Sequence, residues 1–126
     1  MPEAPSIVSL DAVTLEVEDM AASVAFFNTL GFDRIKFGGA DSPFTSYKVG
    51  KGHLNLQLVR EVDYHSWGRP IFHVAKVSDV DALHAAAVAA GYQPDFAPTD
   101  APWGERYFHI QDPDGHEISI ACPLPD

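Results

Sequence analysis

The stretch PWGERYFHIQDPDGHEISIA, residues 102–121, sets His109 and His116 among Glu105, Asp112, Asp114 and Glu117. Imidazole and carboxylate groups at this density suit three kinds of chemistry. They can ligate a divalent ion, which takes about three such groups and keeps further positions open. They can form a metal-free acid–base pair, for which His109 and Glu117 are the candidates. They can also line a pocket that orients a ligand by charge and hydrogen bonding. No nucleophile elbow accompanies them, and Ser119 reads as a small strand residue, so an activated nucleophile is not expected. Aromatic residues interleave the stretch at Trp103 and Tyr107, with Trp67 in a Gly/Pro-containing segment upstream. Flat rings beside acids suit stacking and charge pairing with an aromatic cation. The residues therefore favour a pocket that orients a ligand.

Strands must aim these side chains, and alternation states which residues share a face. Phe108 and Ile110 oppose Glu105, Tyr107, His109 and Gln111; Ile118 and Ile120 oppose Glu117, Ser119 and Ala121. His109 and Ser119 share a face only if the turn between them holds an odd number of residues or a bulge. A five-residue loop DPDGH pairs Gln111 with Glu117 and His109 with Ser119. Upstream, Leu54, Leu56 and Leu58 oppose His53, Asn55 and Gln57, and Val13, Leu15 and Val17 oppose Ala12, Thr14 and Glu16. Each strand thus has an apolar face for helices and a mixed polar face for a groove. Asn55 and Gln57 fall on the groove side, whereas the parity of His73 assigns it to the helix-packed side as a core histidine.

Residues 15–32 lie over 75–92 at a constant offset of 60, matching Val17 with Val77, Asp19 with Asp79, and Gly31 with Gly91. Each copy reads strand, acidic N-cap, Ala-rich helix and Gly stop. Strand-like runs follow: FDRIKFGG, FTSYKVG and HLNLQLVREV in the first half; YQPDFAP, RYFHIQ and HEISIA in the second. The expected fold class is α+β. Two β-α-β-β-β modules form a U-shaped mixed sheet with helices on its convex face. Residues 1–62 form the first module with an N-terminal arm, 63–69 a connector, and 70–126 the second module.

At 126 residues and 46% hydrophobic content the chain suits one compact domain or two packed halves. No apolar run approaches the roughly 18 residues of a membrane helix, and the start MPEAPSIVSL has no leader-like pattern, so a cytoplasmic protein is expected. The single Cys122 excludes an internal disulfide and a multi-cysteine zinc site, and reads as a small packed residue. The formal charge of −10 makes nucleic acid and anionic membranes poor partners and leans toward a cationic ligand. Two small halves and open sheet edges favour a homodimer, with the arm MPEAPSIV crossing to a partner.

The doubled unit, the openings VEDMAASVAFFNTLGF and VSDVDALHAAAVAAGY, and the ending WGERYFHIQDPDGHEISIACPL resemble the vicinal oxygen chelate superfamily. That group includes glyoxalases, extradiol dioxygenases and bleomycin-resistance proteins. In its metal-using members a His lies seven residues before the Asp capping the first helix, with an equivalent in the second half. A carboxylate lies four residues after the Gly of the DPxG turn. Carried onto this chain, those positions are Ala12, Phe72 and Ser119, none of which is a strong ligand.

The resemblance therefore implies no metal cofactor and points to the metal-free bleomycin- and mitomycin-binding resistance proteins, which share the PWG and DP features. Such proteins are dimers with aromatic and acidic clefts. The implied role is sequestration of a small cationic aromatic ligand by Trp103, Tyr107, His109, Glu117, Ser119, Asn55, Gln57, Phe72 and Trp67. Phe72 is expected on the inner face in place of a ligand, and Glu16, Glu105 and Glu117 are expected to meet the cation. The alternative is a lyase, isomerase or dioxygenase whose Zn, Fe, Mn or Ni is displaced onto His53, His109 and Glu117, with Gln57 nearby. A stand-alone interaction module is a third reading.

Overall fold

Helix placement follows from short local signals. Asp19 has extended backbone, and its carboxylate accepts the Ala22 N–H at 3.0 Å, so α1 (Met20–Thr29) begins directly after it. Met20, Val24 and Phe27 recur at helical spacing and are buried together with Ser23 and Phe26. α2 (Val77–Ala89) begins before the position expected. Asp79 is not its cap but lies in its first turn, where its carboxylate accepts the Lys76 backbone N–H at 3.2 Å. That backward reach satisfies a free donor and lets Val77 and Ser78 join the helix. Gly31 and Gly91 follow the two helices with φ of 90° and 94°, a conformation that glycine adopts without steric cost.

The computed structural model describes residues 9–62 and 68–126. Trp67 and the arm at 1–8 lie outside the described residues. In the first half, β1 (Ala12–Val17), β2 (Ile35–Phe37), β3 (Phe44–Val49) and β4 (Gly52–Leu58) form a sheet in the order β1-β4-β3-β2. In the second, β5 (Ile71–His73), β6 (Thr99–Asp100), β7 (Glu105–Gln111) and β8 (Glu117–Pro123) take the order β5-β8-β7-β6. In each sheet the first strand runs parallel to the fourth and the remaining pairs are antiparallel. Two mixed sheets with two helices make the α+β fold that the sequence led us to expect.

The hairpin of β7 and β8 has the expected register, with Gln111 opposite Glu117 and His109 opposite Ser119 across a five-residue turn. Three other expectations need correction. The run YQPDFAP forms no strand, and only Thr99 and Asp100 pair with β7. Pro94 and Pro98 lack the N–H groups that a ladder requires. FDRIKFGG contributes only three strand residues, with an irregularity in pairing between Ile35 and Phe37. Finally, Phe72 and His73 exchange the sides assigned to them. Phe72 pairs with Ile120 and packs edge-on against Phe32 at 4.8 Å, so it faces the helices, while His73 lies on the open side and is exposed.

One hydrophobic cluster serves both halves. It gathers Val17, Phe26, Phe27, Leu54 and Leu56 from the first with Val80, Phe108, Ile110, Ile118 and Ile120 from the second. Phe26 meets Tyr92 edge-on at 5.0 Å across the join. Tyr47 is fully buried and donates its hydroxyl to Asn28 Oδ1 at 2.9 Å; burial pushes its pKa up to about 12. Cys122 is a buried free thiol.

Polar contacts complete the frame. Arg106 holds Asp81 of α2 through Nε and Nη2 and Asp100 of β6 through Nη1, at 2.8–2.9 Å, and its hydrogen bonds keep the Asp81 carboxyl below the usual range. The turn between β7 and β8 also reaches the first half. Glu18 donates its backbone N–H to Asp114 Oδ1 at 3.0 Å, and His116 Nε2 lies 2.6 Å from the Glu16 carbonyl oxygen.

Candidate functional site

On the open face of the second sheet, β8 presents small groups. Ser119 is 2% exposed and Ala121 is fully buried, and the Ser119 N–H bonds to the Pro70 carbonyl at 3.0 Å. Register places Glu105, Tyr107 and His109 on one side of these residues and Ile71 and His73 on the other. Small side chains between longer ones leave a shallow floor that the longer ones span. His73 Nε2 reaches within 3.6 Å of Glu105 Oε2 from two strands away.

The β7 side carries a set of rings. Trp103 and Tyr107 have centroids 5.4 Å apart, and Tyr107 and His109 5.2 Å. Phe96 packs on both, at 5.3 Å from Tyr107 and 5.1 Å from His109. It comes from the proline-interrupted segment, which is tied to β7 by a bond from the Asp95 N–H to the His109 carbonyl at 2.8 Å. Trp103 is 66% exposed, and its indole N–H donates to Glu105 Oε1 at 2.9 Å. The wall is therefore aromatic with acids at its margins, and its outermost ring is open to solvent.

At the other end, Glu117 divides its two oxygens. Oε2 accepts from Arg69 Nε at 2.8 Å, and Oε1 lies 3.7 Å from His109 Nδ1. Asp95 completes the group: one ligand-competent atom each from Asp95, His109 and Glu117 lies within 4.8 Å of the others. Burial depresses the His109 pKa, and the nearby Arg69 charge depresses it further, against the opposing pull of Glu117 and Asp95. The His109 imidazole therefore holds a proton less tightly than a free one.

Of the residues expected from sequence, Trp103, Tyr107, His109, Glu117 and Ser119 come together on β7, β8 and the loop before β7. Asn55 and Gln57 occupy the open face of the first sheet instead. Asn55 donates to Thr14 Oγ1 at 3.3 Å and, with His53, Ala12 and Phe37, lines a recess of about 400 Å³. His53 is not in the group with His109 and Glu117; Asp95 takes that place. Phe72 is partly buried and packs against the core, and Trp67 lies outside the described residues. Sequence reasoning missed Asp95, Phe96, Arg69 and the outward turn of His73. Alternation could not place the first two, because their segment is not a strand.

The three positions implied for a family metal do not fit one. Ala12 offers a methyl group, Phe72 turns into the core, and Ser119 is a buried hydroxyl. Where the two sheets meet, a larger recess of about 620 Å³ is lined by Thr14, Glu16, Arg69, Ile71 and His116 among others, and Arg69 connects it to Glu117.

Comparison with known proteins bears on this arrangement. The family model described as Glyoxalase/Bleomycin resistance protein/Dioxygenase superfamily matches residues 9–120. An uncharacterized protein of Mycobacterium bovis is 28% identical, over 87% of this chain and 80% of its own length. A glyoxalase-related enzyme from Fulvimarina pelagi superposes with a TM-score of 0.76 at 23% identity, covering 92% of this chain and 88% of that one. A bleomycin resistance determinant encoded on the transposon Tn5 superposes with a TM-score of 0.70 at 20% identity, covering 92% and 98%. At such identities the likeness to solved structures concerns the fold.

Proposed function

The chain belongs to the Glyoxalase/Bleomycin resistance protein/Dioxygenase superfamily, and from that premise we propose that it binds a small aromatic cation on the open face of its second sheet. It does so without an ion at the three positions used by its chelating relatives. The observation that carries this reading is the ring set of Trp103, Tyr107, Phe96 and His109 bordered by Glu105 and Glu117. Stacked rings supply apolar area at low entropy cost, and half-buried carboxylates supply a charge partner that water screens incompletely. The overall charge of −10 draws a cation toward the surface. Drug sequestration of the bleomycin-resistance kind, by a homodimer in the cytoplasm, is the role these features support.

A thermal-shift screen of cationic aromatic compounds, run in EDTA, tests the proposal. Compounds that bind the native state should raise the melting temperature. Trp103→Ala should weaken each hit about tenfold, the upper range of one aromatic contact. Preferential stabilisation by neutral or anionic compounds would remove the charge argument, and the absence of any hit would favour a protein-interaction module. Metal-dependent lyase, isomerase or dioxygenase chemistry is the second reading, and it needs ligands other than residues 12, 72 and 119. The grouping of Asp95 with His109 and Glu117 gives that reading a specific footing.

A further inference from the structure

We propose that Asp95, His109 and Glu117 form a site for one divalent first-row cation, separate from the three family positions. The donor set is one imidazole and two carboxylates from three segments of the second half: the loop before β6, β7 and β8. Zn, Mn, Fe and Co all accept such mixed nitrogen and oxygen donors.

Three features make this more than a chance cluster of polar side chains. First, Glu117 is oriented. Arg69 holds Oε2, which leaves Oε1 turned toward His109 Nδ1. This is how outer partners fix ligating carboxylates. The 3.7 Å gap between Oε1 and Nδ1 is too long for a hydrogen bond and near the roughly 3.5 Å separation of two donors about 2.1 Å from a shared ion. Second, the Asp95 backbone is fixed relative to its partner, because its N–H bonds to the carbonyl of His109 itself at 2.8 Å. Third, Phe96 lies against the His109 ring and restricts its rotation. The two carboxylates outweigh the one guanidinium charge of Arg69 beside them, so a divalent cation relieves an excess of negative charge. Asp95 is exposed, which leaves coordination positions open to water or to a bound molecule.

This site shares His109 and Glu117 with the organic-cation reading but is argued from different contacts, and it is tested with the metal alone. Cobalt(II) chloride is titrated into the full chain at pH 7.5 in a non-chelating buffer with no organic ligand present. Calorimetry and visible ligand-field absorption follow the binding. One equivalent is expected, with absorption showing a nitrogen donor. Asp95→Asn and His109→Gln should each weaken binding at least tenfold, while His53→Gln leaves it unchanged. Asp95 is at the surface, so its variant is expected to keep the fold, and circular dichroism of both variants checks this. Failure to bind one equivalent, retention of binding in both variants, or loss only in His53→Gln would overturn the site.

Discussion

Asp112 shows how one carboxyl group ties a turn together at a cost in charge. Its Oδ1 accepts the N–H groups of Asp114 and His116 at 3.0 and 2.8 Å, while Oδ2 is buried and has no hydrogen-bond partner among the described residues. Burial outweighs the neighbouring His116 and the two N–H donors and pushes its pKa up to about 6. An unfolded aspartate titrates near 4. Between those values the folded chain keeps a proton that the unfolded chain releases, so the contribution of this group to stability falls as pH rises. Asp112→Asn retains the acceptor and removes the charge. Relative to the parent, its stability should improve by on the order of 1 kcal/mol between pH 4 and pH 7, read from thermal unfolding across that range. An unchanged difference at all pH values would mean that Asp112 titrates normally.

Among the elements, β5 carries the largest departure from the sequence reading. Phe72 packs on Phe32 and Ile120, so Phe72→Ala should lower the unfolding free energy by about 2–3 kcal/mol, measured by urea titration, and leave ligand affinity unchanged. An inner-face residue would show the opposite pattern. The β7–β8 hairpin was legible because seven-residue strands allow several alternations, and DPDGH fixes which phase of each meets the other. β5 is three residues long, and its sequence IFHV has apolar groups in both phases, so period alone could not orient it. The same limit hid Asp95 and Phe96. Two prolines remove their segment from the ladder, and a chain outside a ladder has no parity to read. Thus half of the candidate site could be read from strand alternation. The other half came from tertiary packing of a loop.

For the molecule as a whole, sheet edges bear on assembly. β2 is an outer strand of three residues, and Phe37 upon it is 64% exposed beside Phe44. Exposed apolar groups on an open edge favour burial against another copy. Sedimentation equilibrium should give twice the chain mass at micromolar concentration, with Phe37→Lys shifting the mass toward the monomer. A native species at single-chain mass would end the homodimer reading. The turn at 112–116 has a different consequence, one of timing. Its bonds to Glu18 and Glu16 span 96 and 100 residues of chain. During synthesis the first half must wait, with its share of the common core uncovered, until that hairpin has left the ribosome. Closure of the join therefore has to come late in synthesis, and until then the apolar surface of the first half is open to aggregation.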